Sequence, residues 1–77
     1  MVTAIVVKLN RYFVIVEFER FGKRYNGSIY YKYLNMGKFH KISDVINIGD
    51  ELKAQVLDYN ERYKCWNLTL DYEKSSN

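Results

Sequence analysis

From Tyr12 to Glu19 the chain alternates. Val14, Val16 and Phe18 fall on one face, and Phe13, Ile15 and Glu17 on the other. Period-two alternation of Val, Ile and Phe predicts a half-buried β-strand. The β-branched, apolar run from Thr3 to Leu9 predicts another strand before it. Arg20-Phe21-Gly22-Lys23 has the makings of a turn, with Gly22 able to take positive φ. A third strand follows from about Tyr25 to Tyr31. Asn26-Gly27 is itself a hairpin dipeptide, so the pattern leaves the register of this second hairpin open. Ile48-Gly49-Asp50 marks a tight turn into a fourth strand, where Leu52, Ala54 and Val56 alternate with Lys53 and Gln55. Asp58 to Arg62 is polar and predicts a hairpin loop. A last strand from Lys64 to Tyr72 places Trp66, Leu68 and Leu70 on one face.

Residues 32–48 lack clean periodicity and contain Asn35, Gly37 and Ser43. They predict a long connection with one short helical turn, from which Leu34, Val45 and Ile48 plug one end of the fold. Five strands with a long link between the third and fourth make an all-β, five-stranded Greek-key barrel. Closing the sheet removes the edges that a small open sheet would expose. The 77 residues contain no proline, Ser/Gly-rich linker or repeat. They are therefore expected to form a single domain over 1–74, with Ser75-Ser76-Asn77 as a frayed end. A domain of this size buries only about 60% of its unfolded surface. It needs a dense core, and the 48% hydrophobic content, with 17% aromatics, can supply one.

Composition narrows the chemistry. No apolar run approaches the roughly 20 residues that span a bilayer. The segment Met1-Val2-Thr3-Ala4-Ile5-Val6-Val7-Lys8 lacks the build of a secretory leader, so a cytoplasmic protein with no membrane partner is expected. With Cys65 the only cysteine and His40 the only histidine, neither an internal disulfide nor a His/Cys metal site is expected, and no cofactor is implied. Asn67-Leu68-Thr69 matches the glycosylation tripeptide by chance on this reading. Net charge is +3, unevenly spread: residues 1–41 carry eight Lys/Arg against two Glu, and residues 42–77 four against seven acids. A basic half and a pI near 9.0 suit a polyanionic partner.

Several segments resemble the S1 RNA-binding domain family. Ile48-Gly49-Asp50-Glu51-Leu52-Lys53-Ala54-Gln55-Val56-Leu57-Asp58-Tyr59-Asn60-Glu61-Arg62 is similar to that family's apolar-Gly-Asp turn, alternating strand and acidic turn. Trp66-Asn67-Leu68-Thr69-Leu70 resembles its closing strand. Phe13-Val14-Ile15-Val16 stands where the family has a Phe-Val strand, and Gly27-Ser28-Ile29-Tyr30 where it has Gly-Leu-Val-His. The resemblance covers nearly the whole chain and implies an OB-fold barrel. The departures are also specific. Asn10-Arg11 replaces an aromatic and a glycine, Tyr30 a histidine, Asn60 an aspartate, and Val2 a leading glycine.

Single-stranded nucleic acid is held by aromatic faces that stack on bases and by cations that follow the backbone. Phe13 points away from Val14 and Val16 beside Arg11, as a stacking platform would; otherwise it is a satellite of the core. The same parity turns Tyr12 inward. Tyr30 shares the outer surface with Ser28 and keeps a ring and a hydroxyl, unless it joins Tyr31 and Tyr33 in covering the long connection. Tyr25 fits either group. Arg62 and Lys64 flank the last hairpin and reach phosphates, or are ordinary solvated charges. Asn60 can read a base edge. Lys23 and Arg24 belong to a solvated turn, and Trp66 to the core.

Catalysis is not expected. Glu17 and Glu19 share a face with no nucleophile or metal ligand beside them. Phe21-Gly22-Lys23-Arg24 lacks the glycine spacing of a phosphate-binding loop, and His40 has no partner. The expected function is a small, free-standing, monomeric module that binds single-stranded RNA with low sequence specificity, linked to translation or RNA metabolism. Its groove would comprise Arg11, Phe13, Tyr30, Asn60, Arg62 and Lys64. The alternative is a protein-interaction module that docks on the ribosome or a translation factor, or mimics such a factor.

Overall fold

The computed structural model describes residues 1–34 and 41–70. Their elements are β1 (Val2–Leu9), β2 (Phe13–Arg20), β3 (Lys23–Tyr30), a 3-10 turn (Tyr31–Tyr33), α1 (Ile42–Val45), β4 (Glu51–Asn60) and β5 (Cys65–Thr69). The strands close into a ring in the order β1-β2-β3-β5-β4, with β4 returning to β1. All neighbours are antiparallel except β3 and β5, which run parallel.

The predicted alternation sets the register. Val14, Val16 and Phe18 of β2 lie opposite Ile29, Gly27 and Tyr25 of β3, and these six face the interior. Ala4 and Val6 complete the β1 side, Ala54 the β4 side and Leu68 the β5 side, all without solvent contact. Gly27 is needed there because a Cβ would meet the Leu68 side chain and, at 3.2 Å, the Trp66 carbonyl. Two strands carry an extra residue. The register of β1 against β2 shifts at Val7, and that of β4 against β5 at Leu57, and both of these side chains emerge on the outside. Bulges of this kind bend a strand and sharpen its twist, which helps so short a sheet to close.

The second hairpin turns at Phe21-Gly22, both at positive φ (55° and 76°). Asn26-Gly27 therefore lies within β3. Leu34 plugs one end of the ring as expected, but Val45 and Ile48 do not; they are 48% and 64% exposed. Ile42 and Ile46 take their place at 3% and 4% exposure. The turn of α1 aligns residues four apart on one face, which turns Val45 away. Ile48 is carried outward in the tight turn at Gly49 (φ 96°). Gly49 donates its N–H to the Val6 carbonyl at 2.7 Å, fastening that turn to β1.

The last hairpin also differs from expectation. β4 continues through Asp58 and Tyr59 to Asn60, so the loop is Glu61–Lys64 and β5 begins at Cys65. Tyr59 packs its ring against Trp66, 5.0 Å between centroids, which prolongs the pairing into a polar stretch. Trp66 packs against the core but is only partly buried. Tyr72, the frayed end at 75–77 and His40 lie outside the described residues. Among the described residues no helix is long and apolar enough to cross a membrane.

Candidate functional site

β2 and β3 present their second face outward, and its residues follow from the same register. Phe13 lies opposite Tyr30, Ile15 opposite Ser28, and Glu17 opposite Asn26. The Phe13 and Tyr30 rings stand 5.6 Å apart between centroids, tilted by 58°. Beneath them runs a groove of about 570 Å³ along β2 and β3, walled by the Tyr63-Lys64-Cys65 corner and by Val7 from the β1 bulge. Ser28, which lines the groove, places its Oγ 3.5 Å from Asn67 Oδ1 and 3.9 Å from Cys65 Sγ, and Asn67 Nδ2 in turn donates to Asp58 Oδ1 at 2.7 Å.

Local structure explains how each rim residue is held. In the β1–β2 turn, Asn10 Oδ1 accepts the Tyr12 N–H at 3.1 Å, and Asn10 N–H donates to the Phe13 carbonyl at 2.9 Å. Asparagine thus builds the turn with its own side chain. Tyr12 belongs to that turn rather than to β2, so it does not face inward; it is 65% exposed, and its carbonyl accepts the Tyr31 N–H at 2.7 Å. At the opposite corner Asn60 Oδ1 accepts the N–H groups of Arg62 and Tyr63 at 3.0 and 3.2 Å. Lys64 completes this loop in the left-handed conformation, φ 53°. That placement costs a non-glycine residue about 1–3 kcal/mol, and it sets the lysine on the groove wall.

Of the predicted residues, the structure brings Phe13, Tyr30 and Lys64 to one groove. Arg11 lines a neighbouring groove of about 620 Å³ with Tyr31, Lys41 and Ser43. Arg62 is exposed on the β4–β5 loop and lines neither groove. The Asn60 side-chain oxygen Oδ1 is occupied in holding the loop, so its part in this structure is to shape the turn. Tyr25 turns inward, its ring 5.7 Å from Phe18 and 6.4 Å from Trp66. Arg24 meets Glu17 at 3.5 Å with its side chain 73% exposed. Sequence reasoning missed Tyr63, Val7 and Ile15 as walls. Strand parity already placed Ile15 beside Phe13, whereas a bulge and a turn leave no such signal. Among the described residues no three His, Cys, Asp or Glu side chains gather as a metal site would require.

Neither family models nor curated proteins give a match to this sequence. Among solved structures, the fold is similar to a chain in the crystal structure of the a/eIF2alpha-aDim2p-rRNA complex from Pyrococcus horikoshii OT3. The TM-score is 0.74 and the identity 18%, over 97% of this chain and 47% of that one. At this identity the likeness is one of fold, and the present chain spans about half the length of its neighbour.

Proposed function

We propose that this chain is an S1-like OB-fold module that binds single-stranded RNA, without catalysis and with low sequence specificity, in translation or RNA metabolism. The observation that carries the reading is the Phe13–Tyr30 pair, two rings on the outer face of the sheet above a groove whose wall carries Lys64. An aromatic pair on a sheet surface with a cation at its margin suits base stacking beside a phosphate. Arg11 with Lys41, and Arg62 on the adjacent loop, offer further charge for the backbone on either side. The neighbour of similar fold comes from an rRNA complex, which supports the same partner class. The module acts as a monomer in the cytoplasm on this reading.

Titration of a labelled single-stranded RNA at low and raised salt tests the proposal. Binding that weakens with salt, and is lost in the Phe13→Ala, Tyr30→Ala double variant, is expected. No binding at low salt would sink it.

A second reading is that the domain docks on the ribosome or on a translation factor, or stands in for such a factor. It draws on the Asn10-Arg11 turn, which lacks the family's aromatic and glycine. Partners recovered from lysate equally well after ribonuclease treatment would favour this second reading.

A further inference from the structure

Glu17 is out of place in a groove for a polyanion. Its side chain is 38% exposed, and it lines the same groove as Phe13, Tyr30 and Lys64. A phosphate would be repelled there. Its ion pair does not cancel this, because Arg24 touches only Oε1, at 3.5 Å, and is itself largely solvated. An exposed pair of this kind is weak, and a carboxylate has room for about four donors. Directly across the ladder stands Asn26, whose amide both donates and accepts. Four residues of extended strand separate Phe13 from Glu17, about 13 Å, which leaves room for a second base beyond the one stacked on the aromatic pair.

We infer that Glu17, with Asn26, reads the edge of that second base and selects bases carrying an exocyclic amino group over uracil. This rests on the RNA-binding reading above and deepens it. A carboxylate accepts from the cytosine N4 amino group, and the adenine N6 amino group offers the same donor. Uracil presents carbonyl oxygens at both of its polar corners, with one N3–H between them, so a carboxylate meets acceptors where it requires donors. The charge layout agrees. The parallel pairing of Gly27 with Trp66 and Ser28 with Asn67 brings Lys64 to the same end of the groove as Glu17 and Asn26, so the lysine takes the backbone there and a base edge is the part of RNA left for the carboxylate.

The test is competition between oligocytidylate and oligouridylate of equal length, measured by fluorescence anisotropy on the full chain, beside Glu17→Gln. The unaltered protein is expected to bind oligocytidylate about tenfold more tightly. Stacking differences between the bases contribute to that ratio, so the variant decides. A glutamine amide can donate to a uracil oxygen. Glu17→Gln should therefore bring the two affinities to within about twofold, with neither oligomer bound more weakly than oligouridylate was before. Phe13→Ala should weaken both oligomers while keeping their ratio. Equal binding of the two by the unaltered chain, or a preference unchanged in Glu17→Gln, would overturn the inference and leave RNA binding standing. Failure of both oligomers to bind would remove the RNA reading and this inference together.

Discussion

Gly27 shows how much one side chain decides in so small a ring. It lies opposite both Val16 and Trp66, where Leu68 and Phe18 crowd its Cα. Gly27→Ala should lower the free energy of unfolding by about 1–3 kcal/mol, as overpacking of a filled core does; urea denaturation would show it as a lower midpoint at an unchanged slope. On the outer face the corresponding test concerns Phe13. Its truncation to alanine should cost about 1–3 kcal/mol of RNA affinity per stacked base and little stability, since it is only half-buried. These two residues differ in how plainly the sequence announced them. Phe13 and Tyr30 were legible because strand parity alone puts them outside. Gly27 was half of a turn-like dipeptide, and only the approach of a strand some forty positions away explains it. Asn60 was legible as a polar residue in the last hairpin, but its hydrogen bonds go to its own loop.

At the scale of elements, the β2–β3 and β4–β5 hairpins are built by opposite means. The β2–β3 turn has two central residues, both at positive φ, which matches the right-handed twist of its strands. Asparagine and glycine suit such a turn. Phe21 does not, and it is also 86% exposed, with the Arg20 guanidinium 5.3 Å from its ring centroid. Phe21→Asn should therefore stabilise the domain by about 1 kcal/mol, visible as a raised melting temperature. The β4–β5 loop instead relies on the Asn60 side chain, and Asn60→Ala should cost about 1 kcal/mol by leaving two N–H groups without that acceptor. The sequence predicted five strands and their inward faces because alternation is local. It misplaced the end of β4, since Asp58 and Tyr59 are held in the ladder by Asn67 and Trp66 across the strand. It chose the wrong plugs, Val45 and Ile48, because a four-residue helix is too short to reveal its period.

Across the whole molecule, charge and topology set the behaviour. If Arg11, Arg62 and Lys64 each neutralise one phosphate, the logarithm of affinity should fall with that of salt at a slope of about −2, so a fourfold rise in salt weakens binding roughly twentyfold. A flat response would argue for protein docking. The ring itself closes at a narrow place. β3 and β5 pair only as Gly27 with Trp66 and Ser28 with Asn67, and Gly27 and Ser28 of that junction line the groove. The junction is a clasp, and clasps are where a closed structure breathes. Brief separations there should let the amides at 27–28 and 66–67 exchange with deuterium sooner than those of the β2–β3 ladder. A strand of RNA laid from Phe13 to Lys64 would bridge both sides of the clasp, so binding and breathing would exclude one another.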